Sequence, residues 1–339
     1  MNLDILNIAP SPIELIENPI FDKYGVRVYV KRDDLIHPSV QGNKWRKLKY
    51  NLMKIKELNI STLLTFGGAF SNHIHATAAA GQLFGINTIG IIRGERTVPL
   101  SNTLIFAEKH GMKLHFVSRE EYKNKTALTH ALNDKFGDVY VLPEGGTNDL
   151  AVVGSKEIVK EINQQIFPQP DFLAVACGTG GTIAGMIKAA DEKQTIIGFA
   201  VLKGDFLHKD VSNILNLKGD TIIFESKNDE SLKKSDISSQ NHSNWSINND
   251  YHFGGYAKFN PELIEFINRF KALHGISLDP IYTGKMFFGL FDLIKKGYFP
   301  RGSTIVAVHT GGLQGIEGFN NFKLKNSNFK LKNSPSKIL

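Results

Sequence analysis

Cysteine is almost absent from this chain of 339 residues. The one cysteine, Cys177, has no partner for an internal disulfide, so nothing in the covalent framework asks for an oxidising compartment. It closes an apolar, strand-like run, where a free thiol behaves as a small core residue. Long hydrophobic stretches are missing as well. Ile86 to Ile92 and Phe172 to Cys177, among the longest, are far shorter than the roughly 18 residues that cross a bilayer. The amino terminus, Met1-Asn2-Leu3-Asp4, lacks the basic start and apolar core of a secretory signal. These absences point to a cytoplasmic protein with no membrane partner. No repeat array or coiled-coil heptad organises the chain. Its 42% hydrophobic and 22% charged residues suit one large or two medium globular domains.

Acidic residues are missing from one place in particular. Phe322 to Leu339 holds Lys323, Lys325, Lys330, Lys332 and Lys337 with no Asp or Glu, and it repeats Phe-Lys-Leu-Lys-Asn-Ser from Phe322 and from Phe329. The formal net charge of +7 falls to +2 for the body once these lysines are set aside. A nearly balanced body argues against a nucleic-acid partner, whose binding face would concentrate Lys and Arg on folded structure. Residues 319–339 are expected to form a basic, mobile tail.

What is present is an alternation. Residues 26–31 (VRVYVK) read as a strand, and Lys44 to Leu58 as a helix with an apolar face at Trp45, Leu48, Leu52, Ile55 and Leu58. Strands are then expected at Thr62 to Phe66, Thr88 to Ile92 and Lys113 to Val117. The intervening helices are Asn72 to Phe84, ended by Gly85, and Thr103 to His110, ended by Gly111, with another at Lys123 to Phe136. After Pro143-Glu144-Gly145-Gly146 the pattern restarts with a helix from Val152, a strand at Phe172 to Cys177, a helix at Ile183 to Ala190 and a strand at Ile196 to Val201. Leu215 to Asp250 is polar and reads as a surface excursion holding a short strand at Thr221 to Phe224, followed by a helix at Pro261 to His274. Such spacing implies two α/β units built on mostly parallel sheets.

Three segments carry chemistry. Gly178-Thr179-Gly180-Gly181-Thr182 lies between a strand and a helix, a junction that points unpaired N–H groups at an anion. A dinucleotide fingerprint would need Gly or Ala where Ile183 stands and an acid closing the next strand, so one phosphate fits better than NAD. Gly67-Gly68-Ala69-Phe70-Ser71-Asn72-His73 also opens a helix, where Ser71 could accept a carboxylate or simply cap the helix. Lys44 starts a helix beside Arg46 and Lys47; the helix dipole and these cations would favour its free amine, although they equally describe a solvated basic face. His73 and His75 lack a third ligand nearby and make a poor metal pair. An amine to condense with an aldehyde, N–H groups for a phosphate and polar residues for a carboxylate together read as a pyridoxal phosphate site.

The segments VKRDDL, GNKWRKLKYNL, GGAFSNHIHATAAAGQLFG, LPEGGTN, CGTGGTIAGM, DPIYTGK and HTGG, in that order, resemble the 1-aminocyclopropane-1-carboxylate (ACC) deaminase and D-cysteine desulfhydrase family, within the tryptophan synthase β-like, fold type II group of pyridoxal phosphate enzymes. The resemblance covers about residues 8–318. It implies a two-domain α/β fold of open, mostly parallel twisted sheets with helices on both faces. Residues 1–46 plus 155–318 would form the larger, cofactor-binding domain and 47–154 the smaller. It further implies that Lys44 carries the cofactor and moves the substrate α-proton, that Asn72 bonds the ring hydroxyl, and that Gly178, Thr179, Gly180, Gly181 and Thr182 cradle the phosphate. Ser71, with Asn72 and His73, would hold the substrate carboxylate. Tyr256 and Tyr282 match two site tyrosines, and Thr283 and Thr310 are candidates near the pyridine nitrogen.

One position divides the family. ACC deaminases have glutamate after the tyrosine of DPxYxGK, whereas this chain has Thr283, as D-cysteine desulfhydrases do. A hydroxyl pairs with a neutral pyridine nitrogen and gives a milder electron sink than a carboxylate would, which disfavours ACC ring opening. Two departures stand out: Phe70 where a glutamine-like residue is usual, and Ala257-Lys258-Phe259 where glycine and proline are usual. The resemblance implies a homodimeric carbon–sulfur lyase of amino-acid metabolism, with D-cysteine as reference substrate and lyase or hydrolase as its class. An ACC deaminase, a pyridoxal phosphate carrier without turnover and an NAD oxidoreductase are the rival readings.

Overall fold

The computed structural model describes residues 6, 8–124, 127, 128, 132, 136–216 and 244–314. Strand β1 (Ile13–Ile16) runs antiparallel to β2 (Arg27–Lys31) across the short helix α1 (Pro19–Tyr24). Asn18 caps that helix, its side chain accepting the Ile20 N–H, and Pro19 occupies the first turn, where no N–H is needed. There follow α2 (Asn43–Glu57), β3 (Thr62–Gly67), α3 (Asn72–Phe84), β4 (Asn87–Arg93), α4 (Asn102–Lys109), β5 (Lys113–Val117), β6 (Tyr140–Leu142), α5 (Asp149–Gln165) and β7 (Phe172–Cys177). The chain continues through α6 (Gly181–Ile187), β8 (Thr195–Ala200), α7 (Phe206–Asn216), β9 (Trp245–Asn248), α8 (Pro261–His274), α9 (Thr283–Lys295) and β10 (Thr304–Val308).

The strands sort into two sheets. The larger has the order β1-β2-β10-β7-β8-β9 and the smaller β5-β4-β3-β6. Every neighbouring pair except β1 with β2 is parallel. Side-chain alternation explains why β7 can be buried on both faces: Ala174 and Ala176 join one core with Phe199, Phe266 and Phe291, while Leu173, Val175 and Cys177 join another with Ile158 and Ile183. No helix among the described residues is long and apolar enough to cross a membrane.

The alternation expected from the sequence is present, with differences at particular places. The helix expected from Val152 begins at Asp149, because Asn148 caps it by accepting the Ala151 N–H at 2.9 Å. The helix expected at Ile183 to Ala190 begins at Gly181 and ends at Ile187. Most of the expected helix Lys123 to Phe136 and all of the expected strand Thr221 to Phe224 lie outside the described residues, as does the basic tail. The polar excursion is not wholly surface loop: α7 reaches into its start, and near its end β9 pairs with β8 and becomes the edge of the larger sheet. Helix α9 was not anticipated. Thr283 through Phe291 are all buried, the polar Thr283 and Lys285 included.

Candidate active site

Helix α2 starts against the turn that follows β10. Gly42 has a φ of 59°, and a Cβ there would lie 1.9 Å from the Thr310 carbonyl oxygen, so only glycine lets the backbones approach this closely. The Asn43 N–H donates to that carbonyl at 3.3 Å, and Asn43 Nδ2 donates to Thr182 Oγ1 at 2.9 Å. Residues from 42 to 310 are thus brought to one place.

Lys44 opens α2 and its Nζ donates to the Gly145 carbonyl at 3.1 Å. Its side chain reaches a cavity but is otherwise enclosed by protein, and this loss of water pushes the amine down to about 8. An amine with that pKa is neutral about one time in ten at pH 7, against roughly three in ten thousand for an ordinary lysine. The help expected from Arg46 does not arise. Arg46 turns to the opposite side of α2, where Asp33 and Glu161 take its charge.

Lys47, one turn on, was not among the expected site residues. It is 1% exposed, and its Nζ donates to the Gly145 carbonyl at 3.1 Å and to Thr147 Oγ1 at 3.0 Å. Burial, then Lys44, lowers its pKa well below the usual lysine range. No carboxylate among the described residues pairs with it. The three-residue spacing from Lys44 was the signal that would have found it.

The glycine loop lies beside this lysine. A Cβ on Gly181 would sit 3.0 Å from Lys47 Nζ and 2.6 Å from the Thr147 side chain. Gly180, with φ 79°, turns the chain into α6, whose first amides have no partner within the helix. Gly178, Thr179, Gly180, Gly181 and Thr182 all line the cavity that Lys44 and Lys47 enter, a space of about 360 Å³. Cys177 is there too, but burial pushes its thiol up to about 12 and it packs as a core residue.

The turn before α3 supplies another wall through Gly68, Ser71, Asn72 and His73. Ser71 does cap the helix, accepting the Ile74 N–H at 3.3 Å, while still lining the cavity. Asn72 Oδ1 accepts from Gln314 Nε2 at 2.9 Å. The Thr65 hydroxyl donates to the Leu142 carbonyl, so at 2.7 Å it must accept from His73 Nε2, which fixes the proton on that nitrogen. Burial, then the two lysines, keeps His73 neutral by lowering its pKa well below the usual range. His75 goes elsewhere, stacking on Phe106 at 3.6 Å.

Tyr256 and Tyr282 also line the cavity, with ring centroids 6.2 Å apart and edge to face. Burial pushes both phenols up, Tyr282 well above the usual phenol range. Thr310 lines the cavity, but Thr283 does not. The Thr283 hydroxyl donates to Asp279 Oδ2 at 2.6 Å, inside the cap of α9, which removes it from the pair of hydroxyls expected near a ring nitrogen. Arg93 and Glu144 are further wall residues that the sequence did not single out.

This donor set fits an aldehyde that carries a phosphate. One end offers an amine of lowered basicity, and the other offers amide donors and a buried cation without a carboxylate.

The profile of the family described as "Pyridoxal-phosphate dependent enzyme" matches residues 6–311. A Thermotoga maritima protein named putative 1-aminocyclopropane-1-carboxylate deaminase is 30% identical, the alignment covering 93% of this chain and 97% of that protein. An Arabidopsis thaliana protein named bifunctional D-cysteine desulfhydrase/1-aminocyclopropane-1-carboxylate deaminase, mitochondrial, is 31% identical over 91% of this chain and 77% of its own length. The crystal structure of an ACC deaminase homologue superposes with a TM-score of 0.76 at 29% identity, covering 94% of each chain.

Proposed function

The chain belongs to the pyridoxal-phosphate dependent enzymes, and from that premise we propose that it is a lyase acting on a small amino acid, with D-cysteine as the reference substrate. Bound pyridoxal phosphate supplies an electron sink for negative charge on the substrate α-carbon. Lys44 would carry the cofactor and move the α-proton at its Nζ, two tasks that a pKa near 8 serves. The amides of Gly178 to Thr182 and the hydroxyls of Thr179 and Thr182 would hold the phosphate, with Lys47 as its counter-charge. Asn72 would bond the ring hydroxyl and Thr310 the pyridine nitrogen. Ser71, Asn72 and His73 would receive the substrate carboxylate, and the Tyr256–Tyr282 pair would hold or deliver a proton beside the leaving group.

The reading rests on one observation: a lysine of lowered basicity, a glycine loop with the buried Lys47 beside it and the Ser71–Asn72 turn share one cavity. D-cysteine and one water would yield pyruvate, ammonia and hydrogen sulfide. The carbon–sulfur bond would break by elimination, without attack of water on it, so the hydrolase class anticipated from the sequence is set aside. A second reading, ACC deamination, is favoured by the names of both relatives. Against it stands position 283, where this chain has threonine in place of the glutamate of ACC deaminases and so supplies no carboxylate to strengthen the sink.

The assay is direct. Cofactor-loaded protein given D-cysteine should release sulfide and pyruvate in equal amounts, with L-cysteine and ACC much slower. Release of 2-oxobutyrate from ACC with no sulfide from D-cysteine would replace the first reading by the second. A homodimer, a cytoplasmic location and the division into domains at 46/47 and 154/155 belong to the same proposal, supported by the family resemblance and the grouping of strands into two sheets. Light scattering and limited proteolysis test the assembly and the boundaries.

A further inference from the structure

Lys285 lies in the first turn of α9 and is fully buried, yet no carboxylate among the described residues forms an ion pair with it. Burial accordingly lowers its pKa to about 8, with Asp279 opposing weakly. Asp279 is already occupied: its oxygens accept the N–H groups of Ile281, Tyr282 and Thr283 and the Thr283 hydroxyl. Lys285 Nζ instead donates to two backbone carbonyls, His252 at 2.8 Å and Gly255 at 2.7 Å.

Those carbonyls belong to the loop that presents Tyr256. Its backbone is left-handed at Phe253 (φ 54°), Gly254 (94°), Gly255 (114°) and Ala257 (56°), two of them residues with a Cβ. Such a conformation persists only where the surroundings over-determine it. The loop's own bonds, Gly255 N–H to His252 O at 3.0 Å and Lys258 N–H to Gly255 O at 3.1 Å, use the same two carbonyls that Lys285 grips. Tyr282, the partner of Tyr256, immediately precedes α9. One helix turn therefore holds both phenols, Tyr282 through the chain and Tyr256 through a buried ammonium.

We propose that Lys285 is a positioning residue that clamps the 252–257 loop so that Tyr256 meets Tyr282 at the cavity. This rests on the reading of Tyr256 as a site residue. In Lys285→Met protein the visible absorption of the bound cofactor should persist, because Lys44 is untouched. Amide exchange of residues 252–257, measured on the apoprotein, should rise at least about tenfold while α9 stays protected. The kcat for D-cysteine should fall about 10- to 100-fold with KM within about threefold. Tyr256→Phe should lower kcat about 100-fold or more, and adding Lys285→Met to it should change kcat by less than about threefold.

Losses that multiply in the double variant, or unchanged exchange in the loop, would overturn the clamp and leave the Tyr256 reading standing. A Tyr256→Phe enzyme with undiminished kcat would instead overturn the reading beneath it. If Lys285→Met does not fold, Lys285→Leu, which likewise removes every donor to the two carbonyls, goes through the same cycle under the same criteria.

Discussion

Helix α2 carries buried cations on two sides, and the two sides obey opposite rules. On one, Arg46 lies between Asp33 and Glu161, and Lys31 shares Glu161 at 2.6 Å. Burial there works against charge, yet the carboxylates hold Arg46 above its ordinary range, and Arg46 holds Asp33 below its own. On the other side Lys44 and Lys47 share only the Gly145 carbonyl and the Thr147 hydroxyl, and both amines are driven toward neutrality. A buried cation that has its anion is scaffold. One that lacks it is poised for a ligand that brings the anion, or for chemistry that needs the amine bare.

Three substitutions press on that contrast. Lys44→Ala should cost the most function: the cofactor-loaded protein should lose its visible absorption and all lyase activity while keeping its melting temperature. Retention of both signals would remove Lys44 from the site. Asp33→Ala should act the other way, lowering unfolding stability by about 3–5 kcal/mol in denaturant titration because Arg46 and Lys31 are left short of an anion. A change below about 1 kcal/mol would show that the scaffold cluster is not what holds α2. Lys47→Met should weaken cofactor binding about 10- to 100-fold without lowering the apoprotein's stability, since it deletes a charge-assisted contact and an unpaired buried charge together. If Lys47→Met destabilises the apoprotein as Asp33→Ala does, the two faces are alike and the distinction fails.

Much of this was legible in the chain. Asn72 to Phe84, Lys113 to Val117, Phe172 to Cys177 and Pro261 to His274 are found at the expected bounds, because each is bracketed by a glycine, a cap or a proline. The cavity residues that follow glycine-marked turns, Ser71, Asn72 and the 178–182 loop, were visible for the same reason. What stayed hidden was set by tertiary packing. Helix α9 buries its first nine residues, Lys285 included, and β9 is a short edge strand whose pairing with β8 is long-range. Thr283 looked like a site hydroxyl until Asp279 was seen to claim it. Lys47 differed from the other lysines only in where its helix face points, and Arg93 and Glu144 come together only through the fold.

The position of β10 has a consequence for biogenesis. It is the last strand among those described, yet it lies third in the larger sheet, between β2 and β7, and the turn beyond it seats α2 through Thr310. While the ribosome is still making residues 304–310, β2 and β7 each present an unpaired edge, and the vitamin-binding pocket has no completed wall. The nascent polypeptide thus passes through an interval of exposed sheet margins that ends only when its final strand slots into the middle. A chaperone that shields those margins would raise the yield of active protein more than excess vitamin B6 supplied during translation.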